Sequence, residues 1–237
     1  MPEADVRIEE LDWYHTLELP NETTVGVYDH RKVEAFYGFP PTLAGKRVLD
    51  VGAGDGFFSF LFERLGAQEV VAVNPPRWDA EDYFPAKYAH WQRENLEQKT
   101  VDKLALASSL LASSVRQIKG NVYGLNPAEH GTFDLVFCGS LLCHLTDPLR
   151  ALFALRSVCI GTCIVATPAT LERPDWPGAL FVGQAHSHTF WAFTPRCLND
   201  MLLAAGFASA ACIATFDLCS ERGDPVVIPH VVAHALV

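Results

Sequence analysis

The run Val48-Leu49-Asp50-Val51-Gly52-Ala53-Gly54-Asp55-Gly56-Phe57-Phe58 constrains the fold more than any other stretch of the chain. An apolar strand that ends in three alternate glycines leaves bare backbone at the mouth of a sheet, where a ligand can approach the main chain closely. The glycines fall at the first, third and fifth places. The dinucleotide fingerprint needs the first, third and sixth, so it is excluded. A helix beginning near Phe57 ends at Gly66-Ala67-Gln68-Glu69, and Val70-Val71-Ala72-Val73 forms a second apolar strand. Strand, glycine turn, helix and strand in this short span make a βαβ unit, the building block of a parallel sheet. A plain αβ turn that merely needs glycine is the competing reading.

The rest of the chain continues the alternation. Strand one covers 47–52, strand two 69–73, and a looser region 75–100. Leu104, Ala107, Leu111, Val115 and Ile118 recur at helical spacing and predict a helix over 101–118. Strands three and four are expected near 117–123 and at 133–138. Asp147-Pro148 caps a helix through Cys159, with Leu149, Leu152, Phe153, Leu155 and Val158 as its core positions. Strand five is 163–166 and an irregular insert spans 167–193. Thr194-Pro195 starts a helix that Gly206 ends, and strands near 208–217 and 226–236 close the sheet as a hairpin. Residues 1–42 stand apart as an aromatic-rich arm, broken from the domain 43–237 by Pro40-Pro41.

Composition narrows the function classes. With 237 residues, 49% of them hydrophobic, the chain can bury one large α/β core. No apolar run approaches the roughly 20 residues needed to span a bilayer, and the acidic N-terminus lacks a signal-peptide profile. The seven cysteines form no CxxC pair and read as reduced core residues of a cytoplasmic protein. A formal net charge of −10, with basic residues scattered at Arg31-Lys32, Lys46-Arg47, Arg116 and Lys119, argues against a nucleic-acid partner.

The glycine spacing, with Asp50 two residues before Gly52, resembles motif I of the class I S-adenosylmethionine (SAM) methyltransferases. Five βα units and a terminal hairpin pair likewise resemble their doubly wound, mostly parallel seven-stranded sheet, a Rossmann-like fold, from about residue 45 onward. Trp13-Tyr14-His15-Thr16-Leu17-Glu18-Leu19-Pro20, Tyr28-Asp29-His30-Arg31 and Leu141-Leu142-Cys143-His144-Leu145-Thr146-Asp147-Pro148 are similar to a subfamily related to the enzyme that transfers a carboxymethyl group to wobble uridine in tRNA. The resemblance implies SAM as cofactor. It places Asp50, Gly52, Gly54 and Gly56 at the methionine portion and Gly139 beside the sulfonium. Where the family pattern has an acid for the ribose, this chain has Asn74, and where it has an acid for the adenine amino group, Asn121, with Val122 and Tyr123 flanking the ring. An Asn74→Asp change is accordingly expected to tighten SAM, by about 1 kcal/mol. The competing reading makes Asn74 the start of a turn before two prolines.

The arm is expected to act as a lid. Its Trp13, Tyr14 and His15 would shield a sulfonium, since aromatic faces attract a cation, and Arg31 could grip a carboxylate in a two-pronged bond. An alternative is an edge strand whose aromatics pack on the sheet. Deletion of 1–30 is expected to leave the sheet folded. His144, His15 or His30 could take a proton, as the side chain that titrates near neutrality, and Tyr14 joins His144 and His15 as a catalytic candidate. His186 and His188 would share one face of an extended segment and line an acceptor pocket, with no metal site expected. These readings describe a SAM-dependent methyltransferase of a small molecule, without membrane or nucleic-acid partner, its homodimerisation left open. A SAM-consuming cyclase releasing methylthioadenosine and a tRNA-modifying transferase using carboxylated SAM are the alternatives.

Overall fold

The computed structural model describes residues 7–75, 101–183 and 189–237. Seven strands form one sheet in the order β3-β2-β1-β4-β5-β9-β8. They are β1 (Arg47–Val51), β2 (Glu69–Asn74), β3 (Arg116–Lys119), β4 (Phe133–Gly139), β5 (Cys159–Pro168), β8 (Ser209–Cys219) and β9 (Val227–Leu236). β1 to β5 are mutually parallel, and β9 runs antiparallel between β5 and β8. The helices are α1 (Phe57–Arg64), α2 (Lys103–Leu110), α3 (Pro127–His130), α4 (Pro148–Val158) and α5 (Pro195–Ala204). The doubly wound architecture expected from the βα alternation is present.

Alternation along β1 sorts the core into two layers. Leu49 and Val51 point with Val71, Val73, Val136 and Val165 toward Leu152 and Leu155 of α4 and Leu198 and Leu202 of α5. Val48 points the other way, with Val70, Ala72 and Phe137, toward Phe58, Leu61 and Phe62 of α1 and Leu104 of α2. A two-residue period on a sheet covered on both faces requires this near-continuous apolar reading. β1 and β4 lie in the interior of the sheet, and the direction of winding reverses between them.

Three expectations change. The helix over 101–118 stops at Leu110, because Ala112 adopts a left-handed conformation at φ 49° and the next two residues bond elsewhere. The Ser113 hydroxyl donates to the Glu63 carboxylate at 2.6 Å and the Ser114 N–H at 2.7 Å, freeing the chain to enter β3. On α4 the buried stripe is Ala151, Leu152, Leu155 and Val158, while Leu149 and Phe153 are exposed. Those two lie outside the arc that a 3.6-residue period presents to the sheet. Within the insert, β6 (Ala179–Phe181) and β7 (Trp191–Phe193) pair as a separate antiparallel ribbon. His186 and His188 lie outside the described residues.

The arm is tied to the body on both sides. Thr16 N–H donates to Tyr28 O and Tyr28 N–H to Tyr14 O, each at 3.0 Å, so two arm segments pair with each other. Tyr28 also bridges to Ser220, beyond the end of β8. Trp13 is 1% exposed, and with Leu17, Leu19 and Tyr37 it joins the core layer that includes Ile164, Phe216, Leu218 and Val232. This burial argues against the expectation that 1–30 can be removed without loss of the fold: the arm contributes to the apolar cover of the β5-β9-β8 half of the sheet.

Candidate functional site

A cleft opens at the carboxyl ends of β1, β2 and β3 and the turn after β4, the switch point of the winding. Val51, Val73, Pro75, Val122, Leu141 and Leu145 wall it, and Gly52, Gly120, Asn121 and His144 complete it. Of the expected site residues, Gly52, Asn121, Val122 and His144 come together here. A flat apolar slot edged by an amide suits a purine. Gly52 has φ +79°, a left-handed conformation that favours glycine, and a side chain on it would meet Leu141 at contact distance. The donor set and the bare backbone therefore fit the adenosine of SAM. The Asn121 side-chain oxygen accepts from the N–H of Tyr123 at 2.9 Å, capping the short turn that shapes the slot.

The other glycines have different tasks. Gly56 caps α1 at φ +99°, where a Cβ would strike Leu104 and Phe60. Gly139 leaves room for the ring of Phe137, 2.8 Å from where its Cβ would be. Gly54, at φ +58°, lies under the imidazole of His15, which would stand 3.0 Å from a Cβ at this position. The close approach that bare backbone permits at Gly54 is made, in this structure, by the arm.

Asn74 is committed to the glycine turn. Its side-chain oxygen accepts from Gly54 N–H and its side-chain nitrogen donates to Gly54 O, both at 2.9 Å. An amide matches a peptide group's donor and acceptor together, which a carboxylate cannot do. Asp50 lies outside the cleft: it is buried beneath α1, accepts from Ser59 Oγ at 2.6 Å, and burial pushes its carboxyl up to about 7. Arg31 does not face the cleft as a free clamp. It holds Asp29 through two bonds of 2.8 Å and Glu18 through a third, also 2.8 Å. Trp13, buried with its indole N–H on Ile8 O at 2.9 Å, is a core residue rather than a cofactor contact.

Asp55 fastens the arm to the turn. Its carboxylate accepts from the N–H groups of Tyr14 at 2.5 Å and His15 at 3.2 Å, with Lys103 at 3.5 Å. Polar aromatics cluster beside it. The His15 ring lies 4.9 Å from Tyr14 and 5.2 Å from His30, and Tyr14 lies 5.3 Å from Tyr28, centroid to centroid. His30 Nδ1 is 3.0 Å from the Tyr37 hydroxyl. Burial drives His15 down to about 3 and His30 well below its ordinary value, so both are neutral at physiological pH. His15 Nδ1 is buried without a hydrogen-bond partner.

One polar pair has no counterpart among the residues expected from the sequence. Ser140 Oγ lies 3.0 Å from His230 Nε2, and His230 Nδ1 lies 2.9 Å from Ile228 O. The carbonyl can only accept, so Nδ1 carries the proton and Nε2 accepts from the serine hydroxyl. His230 is buried, stacks on Phe216 at 5.2 Å, and burial lowers it to about 4. Ser140 has φ +51°, a conformation costing about 1–2 kcal/mol for a residue with a Cβ. The available signal was a histidine inside the apolar run of the last strand, whose partner 90 positions earlier only the fold reveals.

A family model described as a methyltransferase domain matches residues 29–211. The tRNA U34 carboxymethyltransferase of Pseudomonas aeruginosa is 30% identical over 176 residues, 72% of this chain and 48% of that one. The ubiquinone biosynthesis O-methyltransferase of Psychrobacter arcticus is 27% identical over 176 residues, 70% of this chain and 60% of that one. The chain thus spans only part of the curated relatives it matches, 34% of the carboxymethyltransferase of Dichelobacter nodosus and 50% of that of Desulforapulum autotrophicum. Among solved structures, the N-terminal domain of EvdMO1 with S-adenosylhomocysteine bound superposes with a TM-score of 0.61 at 18% identity, covering 95% of this chain and 91% of that one. The glycine turn, the switch-point cleft and the strand order agree with the family match: the chain belongs to the class I SAM-dependent methyltransferases.

Proposed function

We propose that this chain transfers a methyl group from SAM to a small molecule held between the cleft and the arm. The observation that carries this reading is the uncharged polar-aromatic cluster, Tyr14, His15, Tyr28 and His30, fastened directly above the glycine turn. Bound SAM supplies a methyl carbon activated by a sulfonium cation. Val73, Val122 and Leu141 would flank its base, Asn121 would meet the base's edge, and Gly52 would give room for the ribose. Neutral imidazoles do not repel a cation, and each aromatic face that excludes water attracts one by about 0.5–2 kcal/mol. Asp55 holds Tyr14 and His15 in place, so most of the acceleration comes from proximity and orientation. His144, on the cleft wall, would take a proton from the acceptor.

A second reading, carboxymethyl transfer to tRNA, draws stronger support from the names of the curated relatives, most of which are tRNA U34 carboxymethyltransferases. The site's charge points the other way. A carboxylated donor brings an extra negative charge, and among the described residues cations near the cleft and the arm are engaged: Arg31 with Asp29 and Glu18, Lys103 with Asp55, Arg150 with the face of Tyr123. The net charge of −10 disfavours a phosphate backbone as well. The structural tasks of Asn74 and Asn121 account for the two missing acids without invoking cyclisation of the cofactor.

Mass spectrometry separates the readings. The protein is incubated with SAM or carboxylated SAM, each with unmodified tRNA, with a small-molecule extract, or alone. S-adenosylhomocysteine with a methylated small product, from SAM only, is the expected result. Carboxymethylated tRNA would establish the second reading, and methylthioadenosine from SAM alone would replace both by a cyclase.

A further inference from the structure

Asn121 lines the cleft just past the end of β3. Its side-chain oxygen accepts from Tyr123 N–H at 2.9 Å and caps the turn Val122–Gly124. That bond fixes which way the amide points. A backbone N–H bonds only to an acceptor, so turning the amide over would set its nitrogen against the N–H of Tyr123. The side-chain nitrogen, with its two hydrogens, donates to no group among the described residues. Acceptors on the cleft wall are already engaged. The described lining holds no carboxylate. Val73 O receives Gly52 N–H at 2.8 Å, Asn121 O receives Gly124 N–H at 3.0 Å, and Leu145 O receives the indole N–H of Trp191 at 3.0 Å. The other polar side chain of the lining, His144, comes from the turn after β4. On the β3 side the wall therefore offers a hydrogen-bond donor rather than an acceptor.

We propose that Asn121 determines base specificity in the cleft, and that it reads a ring nitrogen of the base and leaves the exocyclic amine unread. Its Nδ2–H donates to a ring-nitrogen lone pair, which purines carry with or without a 6-substituent. An amine is itself a donor and finds no partner in that amide nitrogen. The cleft then takes purine-nucleoside cofactors whether or not the base bears a 6-amino group. An oxygen in place of Nδ2 would reverse this, because a site built to receive a hydrogen bond rejects the analogue that lacks the donor. One amide thus does two things: its oxygen holds the turn, and its nitrogen sets which edge of the base is recognised. The inference rests on the reading of the cleft as the place of the cofactor's adenosine.

The test uses the whole chain and two probes, S-adenosylhomocysteine and its 6-deamino analogue, which differ only in the exocyclic amine. Calorimetry first measures S-adenosylhomocysteine on the unaltered chain; absence of binding would defeat the cofactor reading of the cleft and is distinguishable from any outcome of the comparison. The two probes are expected to bind with dissociation constants within about threefold of each other, and a larger preference for the amine-bearing probe would overturn the proposal. Asn121→Ser and Asn121→Asp each keep an oxygen that can cap the turn, so both should keep the fold, checked by an unchanged urea midpoint. Asn121→Ser withdraws the donor and should weaken both probes alike, by about five- to tenfold. Asn121→Asp places an oxygen where Nδ2 stood and should create a preference of about tenfold for the amine-bearing probe. Unchanged affinities in the serine variant, or equal binding of both probes by the aspartate variant, would likewise overturn the proposal.

Discussion

At the scale of single residues, Asn74 shows how one atom reverses an expectation. A carboxylate at this position would restore a charged acceptor if the side chain faced a ribose. In the structure the amide nitrogen donates to Gly54 O at 2.9 Å, so an Asp there sets oxygen against oxygen. Asn74→Asp should therefore weaken SAM binding by about 1–3 kcal/mol, seen by calorimetry as a clearly raised dissociation constant; a tighter complex would show that the amide leaves Gly54 when the cofactor enters. Tyr14 gives the complementary case. The residue is 38% exposed at the edge of the cluster while its N–H is held by Asp55. Truncation to alanine should keep the backbone latch and cut turnover more than affinity, because closure matters most when charge shifts in the transition state. Steady-state kinetics beside calorimetry would read this split.

At the scale of elements, the arm is both a lid over the turn and a wall of the core. The aromatic content of 1–42 was legible in the sequence, and so was its lack of a regular period. That lack hid which aromatics point inward: Trp13 and Tyr37 are buried, whereas Tyr14 is partly exposed. Replacing Trp13 by alanine should cost about 3–5 kcal/mol, measured as a lower urea midpoint, and should loosen the Asp55 latch, whose attachment points are the next two residues. A loss under about 1 kcal/mol would mean that the arm packs far more loosely than its burial requires.

For the molecule as a whole, the site imposes a pH dependence on stability. His15, His30 and His230 are held neutral in the fold, at about 3, well below the ordinary value, and about 4. In the unfolded chain each protonates near about 6.5. The stability they contribute is full above that value and is lost as pH falls toward their folded values, because the unfolded state takes up the protons first. Asp50, raised to about 7 in the fold, acts in the opposite sense and favours the folded state as pH falls from 7 toward about 4. Asp55, raised by burial, acts in the same sense as Asp50; three groups oppose two, so stability should drop between about pH 7 and about pH 5. Chemical denaturation at a series of pH values checks this, and a flat or rising profile would show that the cluster is solvated.

The sequence by itself determined the architecture: apolar runs of strand length, glycines at alternate places and helix caps at Asp147 and Thr194 are local signals, and local signals fix elements and their order. It also located Gly52, Asn121, Val122 and His144, because a doubly wound sheet places strand ends together whatever the side chains are. Tertiary structure alone decided the partners. Asn74 faces Gly54 rather than open solvent, Arg31 is held by Asp29 and Glu18, Asp50 is buried against Ser59, and Ser140 meets His230 across 90 positions. A hydrogen bond depends on distance and direction within a few tenths of an ångström, and no pattern along the chain carries that information until the sheet and the arm have closed around it.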